Sequence, residues 1–214
     1  DLVEAESIYR QALTAAPNSD VALYCLGLIA HRRGRLNLAV KLIGKAVSAN
    51  PAQPRYHTDL GFLLIEQGKR TEALPHLKAA VALDPMNIAV HCDLALELCS
   101  QNKPDEAAAC CHRALALDPG NREAHNNLGL IFGSRGEPQQ ASECFRRAIE
   151  LQPDFVGARN NLGNSLRAEG KLDQAIACFE GALALSPENP LTLNSLGVAY
   201  RVRGMLEQAR ASFN

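Results

Sequence analysis

Apolar positions along the chain recur at steps of one, three and four. Leu128, Leu130, Ile131 and Phe132 are followed by Ala141, Cys144, Phe145, Ala148, Ile149 and Leu151. A strand would alternate with a period of two, so this spacing predicts two amphipathic helices joined by a turn. The pattern then repeats. Pro17, Pro51, Pro85, Pro119, Pro153 and Pro187 fall at intervals of 34 residues without a slip. Ala5, Ala39, Ala73, Ala107, Ala141, Ala175 and Ala209 form one column at the same interval, and Ala12, Ala46, Ala80, Ala114, Ala148 and Ala182 another. Leu26, Leu60, Leu94, Leu128, Leu162 and Leu196 are each followed by Gly, except that Ala95 follows Leu94. Columns in register over so many periods mark a repeat architecture, in which each helix pair buries its apolar face against its neighbours.

Punctuation within a period supports the helix pair. Gly34, Gly68, Gly136, Gly170 and Gly204, with Asn102 in the same column, stand where the first helix should close through a left-handed residue. Three residues on, Asn37, Thr71, Asp105 and Asp173 have side chains suited to capping the second helix, and Gln139 and Glu207 suit that column less well. The Pro column then stops the second helix. Pro75 is out of place, about four residues into a second helix, and should remove a hydrogen bond there. The Gly27 and Ala39 columns leave small side chains where two helix axes should approach to about 8–10 Å.

A 34-residue helix-turn-helix unit with Leu-Gly, two Ala columns and a closing Pro resembles the tetratricopeptide repeat (TPR) family. The match divides the chain into a half repeat at 1–19, full repeats at 20–53, 54–87, 88–121, 122–155 and 156–189, and a partial repeat at 190–214. Both ends therefore look internal to an array, as in a fragment of a longer protein. The family's large aromatic residue early in the first helix is replaced by Leu23, His57, His91, His125, Arg159 and Leu193. The resemblance implies an all-α, right-handed superhelix with first helices on the concave face. It also implies that a segment of a partner protein binds in the groove. A solenoid offers the same long concave surface on physical grounds, without an enclosed catalytic pocket.

Composition narrows the partners. Lys and Arg number 22 against 23 Asp and Glu, a net charge of −1, whereas a duplex-binding protein needs surplus cations. The longest apolar run, Val21 to Ala30, is half a membrane span, and no charged-then-apolar leader opens the sequence. Neither nucleic acid nor a membrane is expected as partner. Seven cysteines with no Cys-x-x-Cys pair point to a reducing compartment, and a cytoplasmic location is expected.

Candidate binding residues are those on the first helix that packing does not need. One column reads Cys25, Asp59, Asp93, Asn127, Asn161, Ser195, and the column before it Tyr24, Thr58, Cys92, Asn126, Asn160, Asn194. With Asn164 a turn on, the later repeats carry a double row of Asn. These amides, donor and acceptor in one, either hold the peptide groups of a ligand or bond neighbouring backbone and order the solenoid. The Asn-Leu-Gly triplets at 127–129 and 161–163 are similar to the asparagine ladder in the TPR region of O-GlcNAc transferases. That resemblance implies main-chain binding of a protein substrate. It gives an alternative function, the substrate-recruiting arm of such a glycosyltransferase. A third column, His31, Ile65, Cys99, Gly133, Arg167, Arg201, together with Asp59, Glu66 and Asp93, suggests a groove running from acidic to basic.

Other chemistry is disfavoured. Chaperone-tail-binding TPR proteins clamp a carboxylate with Lys and Arg, where this chain has Ala89, Asp93, Glu123 and Asn127. His57, His91 and His125, beside Cys92, are a full repeat apart and cannot converge on the tetrahedron zinc needs. They are read as packing histidines, so neither metal nor cofactor is expected. Cys110, Cys144 and Cys178 are too far apart for disulfides and are read as buried small hydrophobes. No phosphate loop, nucleophile elbow or convergent acid pair appears, so no catalysis is expected within these residues. Leu206 and Phe213 suggest apolar end faces through which copies could associate.

Overall fold

The computed structural model describes residues 1–213, with side chains through Ser212. The chain divides into two compact units, 1–97 and 98–214. Among the described residues every regular element is a helix. The first unit holds α1 (Leu2–Ala15), α2 (Asp20–Arg32), α3 (Leu36–Ala49), α4 (Pro54–Glu66) and α5 (Arg70–Leu83), and the division falls inside α6 (Ile88–Ser100). The second holds α7 (Pro104–Leu117), α8 (Arg122–Ser134), α9 (Pro138–Leu151), α10 (Val156–Ala168), α11 (Leu172–Leu185), α12 (Pro190–Arg203) and α13 (Leu206–Phe213). The expected all-α repeat fold is what the sequence forms.

The turn column behaves as its residue type demands. Gly34, Gly68, Gly136, Gly170 and Gly204 have φ between 70° and 84°, and Asn102 joins them at 59°. Around Gly34 the amide of Arg35 bonds back to the Ala30 carbonyl at 2.9 Å, and that of Gly34 to His31 at 2.8 Å. This paired closure satisfies carbonyls that the helix end would otherwise orphan.

The same tight reversal corrects the capping expectation. Leu36 is already helical, so the N-cap of α3 is Arg35. The N-caps of α5, α7, α9 and α11 are Lys69, Lys103, Glu137 and Lys171, and none makes a side-chain cap bond. The Asn37 column lies two residues too far along. Its side chains reach sideways to the next repeat. Asn37 Oδ1 accepts from Gln67 Nε2 at 2.7 Å, Asp173 from Arg203 Nε at 2.7 Å, and Asp105 from Arg135. Side-chain caps are found on α1, where Asp1 accepts the amide of Val3, and on first helices, where Ser19, Asn121 and Asn189 accept the amides of Ala22, Ala124 and Thr192. Pro75 is the sixth residue of α5, which runs on to Leu83. Pro75 is exposed, so the Thr71 carbonyl that loses its partner sits at the solvent side of the first turn.

Small residues let the helix pairs close. Ala39, Ala73, Ala107, Ala141 and Ala175 are all fully buried. A Cβ on Gly27 would lie 2.4 Å from Ile43, and one on Gly61 2.8 Å from Leu77. On Gly129 it would lie 2.6 Å from Phe145, and on Gly163 2.5 Å from Phe179. Each glycine is therefore the hole into which a large second-helix side chain inserts. The cores follow from this: Ile43, Ala46, Leu60 and Leu64 cluster in the first unit, and Phe145, Leu166, Phe179 and Ala199 in the second.

Candidate functional site

First helices within each unit are stitched by side chains 35 residues apart. In the first unit the Tyr24 hydroxyl donates to Asp59, and His31 Nε2 meets Glu66 Oε2 at 2.7 Å. In the second, Asn161 Nδ2 donates to Asn126 Oδ1 at 3.1 Å, and the Cys99 thiol faces the Ser134 hydroxyl at 4.0 Å. A residue on one first helix thus meets the next position of the following repeat. Burial and the Asp59 carboxylate beside it push the Tyr24 hydroxyl well above its ordinary value, so it remains the donor of its pair.

The histidine column has a role its sequence position did not reveal. Nε2 of His57, His91 and His125 lies 3.1, 3.0 and 3.1 Å from the carbonyls of Pro51, Pro85 and Pro119, six residues back. Arg159 does the same for Pro153 through Nε and Nη2, at 3.0 and 2.7 Å. These side chains tie four of the inter-repeat turns to the helix that follows each. Nε2 carries the proton there, which leaves His57 Nδ1 as acceptor for His76 Nδ1, 3.2 Å away. Among the described residues no group of three or more His, Cys, Asp or Glu is placed to hold a metal ion. The cysteines are free, but Cys110, Cys144 and Cys178 are half-buried, not core residues, and the fully buried ones are Cys92 and Cys111. Burial and the neighbouring Glu143 push the Cys144 thiol up to about 11, so it stays protonated near neutral pH.

A groove on each unit runs along the first helices. In the first unit Arg55, Asp59 and Phe62 of α4 face Val90 and Asp93 of α6 across about 330 Å³, with Asp84 and Asn87 at one end. Burial alone raises the Asp93 carboxyl above its ordinary value. Arg55 lies 5.7 Å over the Tyr24 ring. In the second unit a groove of about 350 Å³ is lined by Leu130 and Gly133 of α8, Asn161, Asn164, Ser165 and Ala168 of α10, and Phe145 of α9 at its floor.

The candidate residues divide by exposure. Asn126 and Asn127 are 9% and 5% exposed, and Asn126 is spent on Asn161. Asn160 is half-buried with Oδ1 enclosed and unbonded. Asn161 and Asn164 line the second groove, and Arg167 Nη2 reaches Asn164 Oδ1 at 3.5 Å. Asn194 and Arg201 are exposed on α12. Asp59 and Asp93 line the first groove. An apolar column was overlooked: Phe62, Leu96 and Leu130, 34 residues apart on first helices, are 38%, 44% and 36% exposed. Its spacing was visible in the sequence, but apolar residues at helical spacing are ordinarily core. Leu206 is 66% exposed; the Phe213 side chain lies outside the described residues.

Paired helices closed by left-handed glycines and interlocked where large side chains insert against first-helix glycines define an α-helical repeat protein of the TPR class. Family models agree. Tetratricopeptide or TPR repeat models match residues 1–54, 64–128, 123–155, 144–177 and 163–201, and the chain belongs to the tetratricopeptide repeat family. Among solved structures it is similar to a tetratricopeptide repeat protein from Parabacteroides merdae, with a TM-score of 0.83 and 19% identity over 100% of this chain and 84% of that one. It is similar to PilW, a widely conserved type IV pilus biogenesis factor, with a TM-score of 0.81 and 19% identity over 90% of each chain. It is also similar to YrrB, a TPR protein with an unusual peptide-binding site, with a TM-score of 0.70 and 18% identity over 86% and 95%. At these identities the likeness is one of fold. No curated protein matches the chain. No described helix is long and apolar enough to cross a membrane.

Proposed function

We propose that the chain is a protein-interaction module that holds an extended segment of a partner protein along its first helices, with Asn161 and Asn164 gripping the segment's main chain. One observation carries this. Asn161 spends its Nδ2 on Asn126, and Asn164 spends its Oδ1 on Arg167, which leaves Asn161 Oδ1 as an acceptor and Asn164 Nδ2 as a donor on one groove wall. An amide acceptor and an amide donor side by side match the N–H and C=O of an extended backbone, independently of its side chains. Exposed Leu130 beside them adds apolar area. YrrB, of like fold, is described by its peptide-binding site, which supports the same reading.

Asn126 and Asn127 then act as supports, because a side chain buried to 9% or 5% exposure has little surface left for a ligand. The charged candidates Asp59, Asp93, Arg167 and Arg201 would select among segments by charge. The alternative, a substrate-recruiting arm of an O-GlcNAc-transferase-like enzyme, rests on the two Asn-Leu-Gly triplets, of which only Asn161 faces a groove.

The test compares wild type with Asn161→Ala/Asn164→Ala in a pull-down from native lysate read by mass spectrometry, with melting curves showing both folded. A discrete set of partners lost by the variant is the expected result. Identical partner sets would place binding elsewhere.

A further inference from the structure

The groove of the second unit is deepened by a local exception to the repeat. In two members of the His31 column the side chain reaches the residue 35 positions on, as His31 reaches Glu66 and Cys99 reaches Ser134. At Gly133 no side chain exists, and the position 35 on is Ala168. Both line the groove, and a Cβ built on Gly133 would meet no atom within 4 Å. The gap is thus a space that the His31 and Cys99 side chains span in their own repeats. Its floor is the Phe145 ring and its walls are Leu130, Pro138 and Ala168. Ser165, 8% exposed, lines it too. None of the lining residues is charged.

We infer that the notch at Gly133 and Ala168 is a specificity pocket for one uncharged aliphatic side chain, about the size of Ile or Leu, on the extended protein segment that Asn161 and Asn164 hold. This rests on the main-chain grip proposed above. A cationic side chain would enter the notch with no counter-charge and lose its hydration, and an anionic one would find only the Arg167 guanidinium already held by Asn164. An aliphatic one covers the Phe145 ring, while its own backbone lies beside the Ser165 hydroxyl and the two asparagines. The occupant is therefore fixed by size and by lack of charge.

Gly133→Leu fills the notch from within. The helix tolerates it, since the new side chain enters open space and a helical glycine is replaced by a better helix former. The full chain and this variant are each used to select from a displayed library of random 12-residue peptides, and the winners are titrated by calorimetry against both. Expected for wild type is a recurrent Ile, Leu or Val at one fixed position, with affinity falling about tenfold or more against Gly133→Leu at an unreduced melting temperature. Replacing that residue by Asp or Lys in the peptide should cause a similar loss. Equal affinity for wild type and Gly133→Leu would overturn the notch while leaving the main-chain grip standing. Failure of the wild-type chain to select any peptide would overturn both.

Discussion

The two units use one frame to build opposite grooves. In the first, Asp59, Asp84 and Asp93 share the groove with Phe62, and Arg55 lies over the Tyr24 ring. In the second, asparagine, serine and glycine line a groove about a turn further along the first helices, without a charge. The stitches match in spacing yet differ in chemistry: Tyr24 bonds Asp59 in one, and Asn161 bonds Asn126 in the other. What stays constant is the seam, where a Gly receives Ile43, Leu77, Phe145 or Phe179. Stability and recognition are thus carried by different columns of the same repeat, which lets the groove change while the fold does not.

The largest break in this comparison comes from emptying the seam. Phe145→Ala in the second unit should cost about 3–5 kcal/mol, and Leu77→Ala in the first about 2–5 kcal/mol, both read from urea midpoints. Overfilling comes next. Ala141→Leu should cost about 1–3 kcal/mol, because Ala141 is fully buried against Phe145 and its neighbours. Two glycines one turn apart on α8 sharpen the point. Gly129→Ala should lower the melting temperature, since its Cβ would sit 2.6 Å from Phe145, whereas Gly133→Ala should raise it by the gain of up to about 1 kcal/mol from removing a helical glycine. Equal shifts at both positions would contradict the division into seam and groove columns.

Smaller effects are expected at the exposed clasps. Arg203→Ala removes the pair with Asp173, half to three-quarters exposed, and should lower the urea midpoint only slightly, by an amount that shrinks in high salt. The smallest is a pH dependence in the first unit. Burial and the adjacent His57 hold His76 below its ordinary 6.5, so the unfolded chain takes up its proton first as pH falls. Stability from this group is complete above 6.5 and declines as pH drops through that value toward the depressed one. His76→Gln should flatten that part of the urea-midpoint profile.

Much of this was legible in the sequence. The Pro, Ala and Leu-Gly columns fixed the helix pairs because their roles are local: stopping a helix, allowing close approach, filling a hole. The left-handed turn was equally plain from Gly34 and its equivalents. Asn37 was misread as a cap because the turn closes two residues sooner than a capping residue there would need, and its true partner, Gln67, is 30 positions away. The histidine ties were hidden for a similar reason, since a side chain bonding a proline carbonyl leaves no compositional trace. Of the Asn rows, the sequence located the face but not which amides remain open, because burial of Asn126 and Asn127 depends on the neighbouring helix.

The most direct test follows the side-chain amides of the asparagines by 1H–15N NMR while a library-selected peptide is added to the whole chain. Expected are shifts concentrated on Asn161, Asn164 and the Ser165 amide, with Asn126 and Asn127 following only weakly through the Asn161 bond. Shifts concentrated on α9 and α11, with Asn161 and Asn164 unmoved, would contradict binding on the first helices.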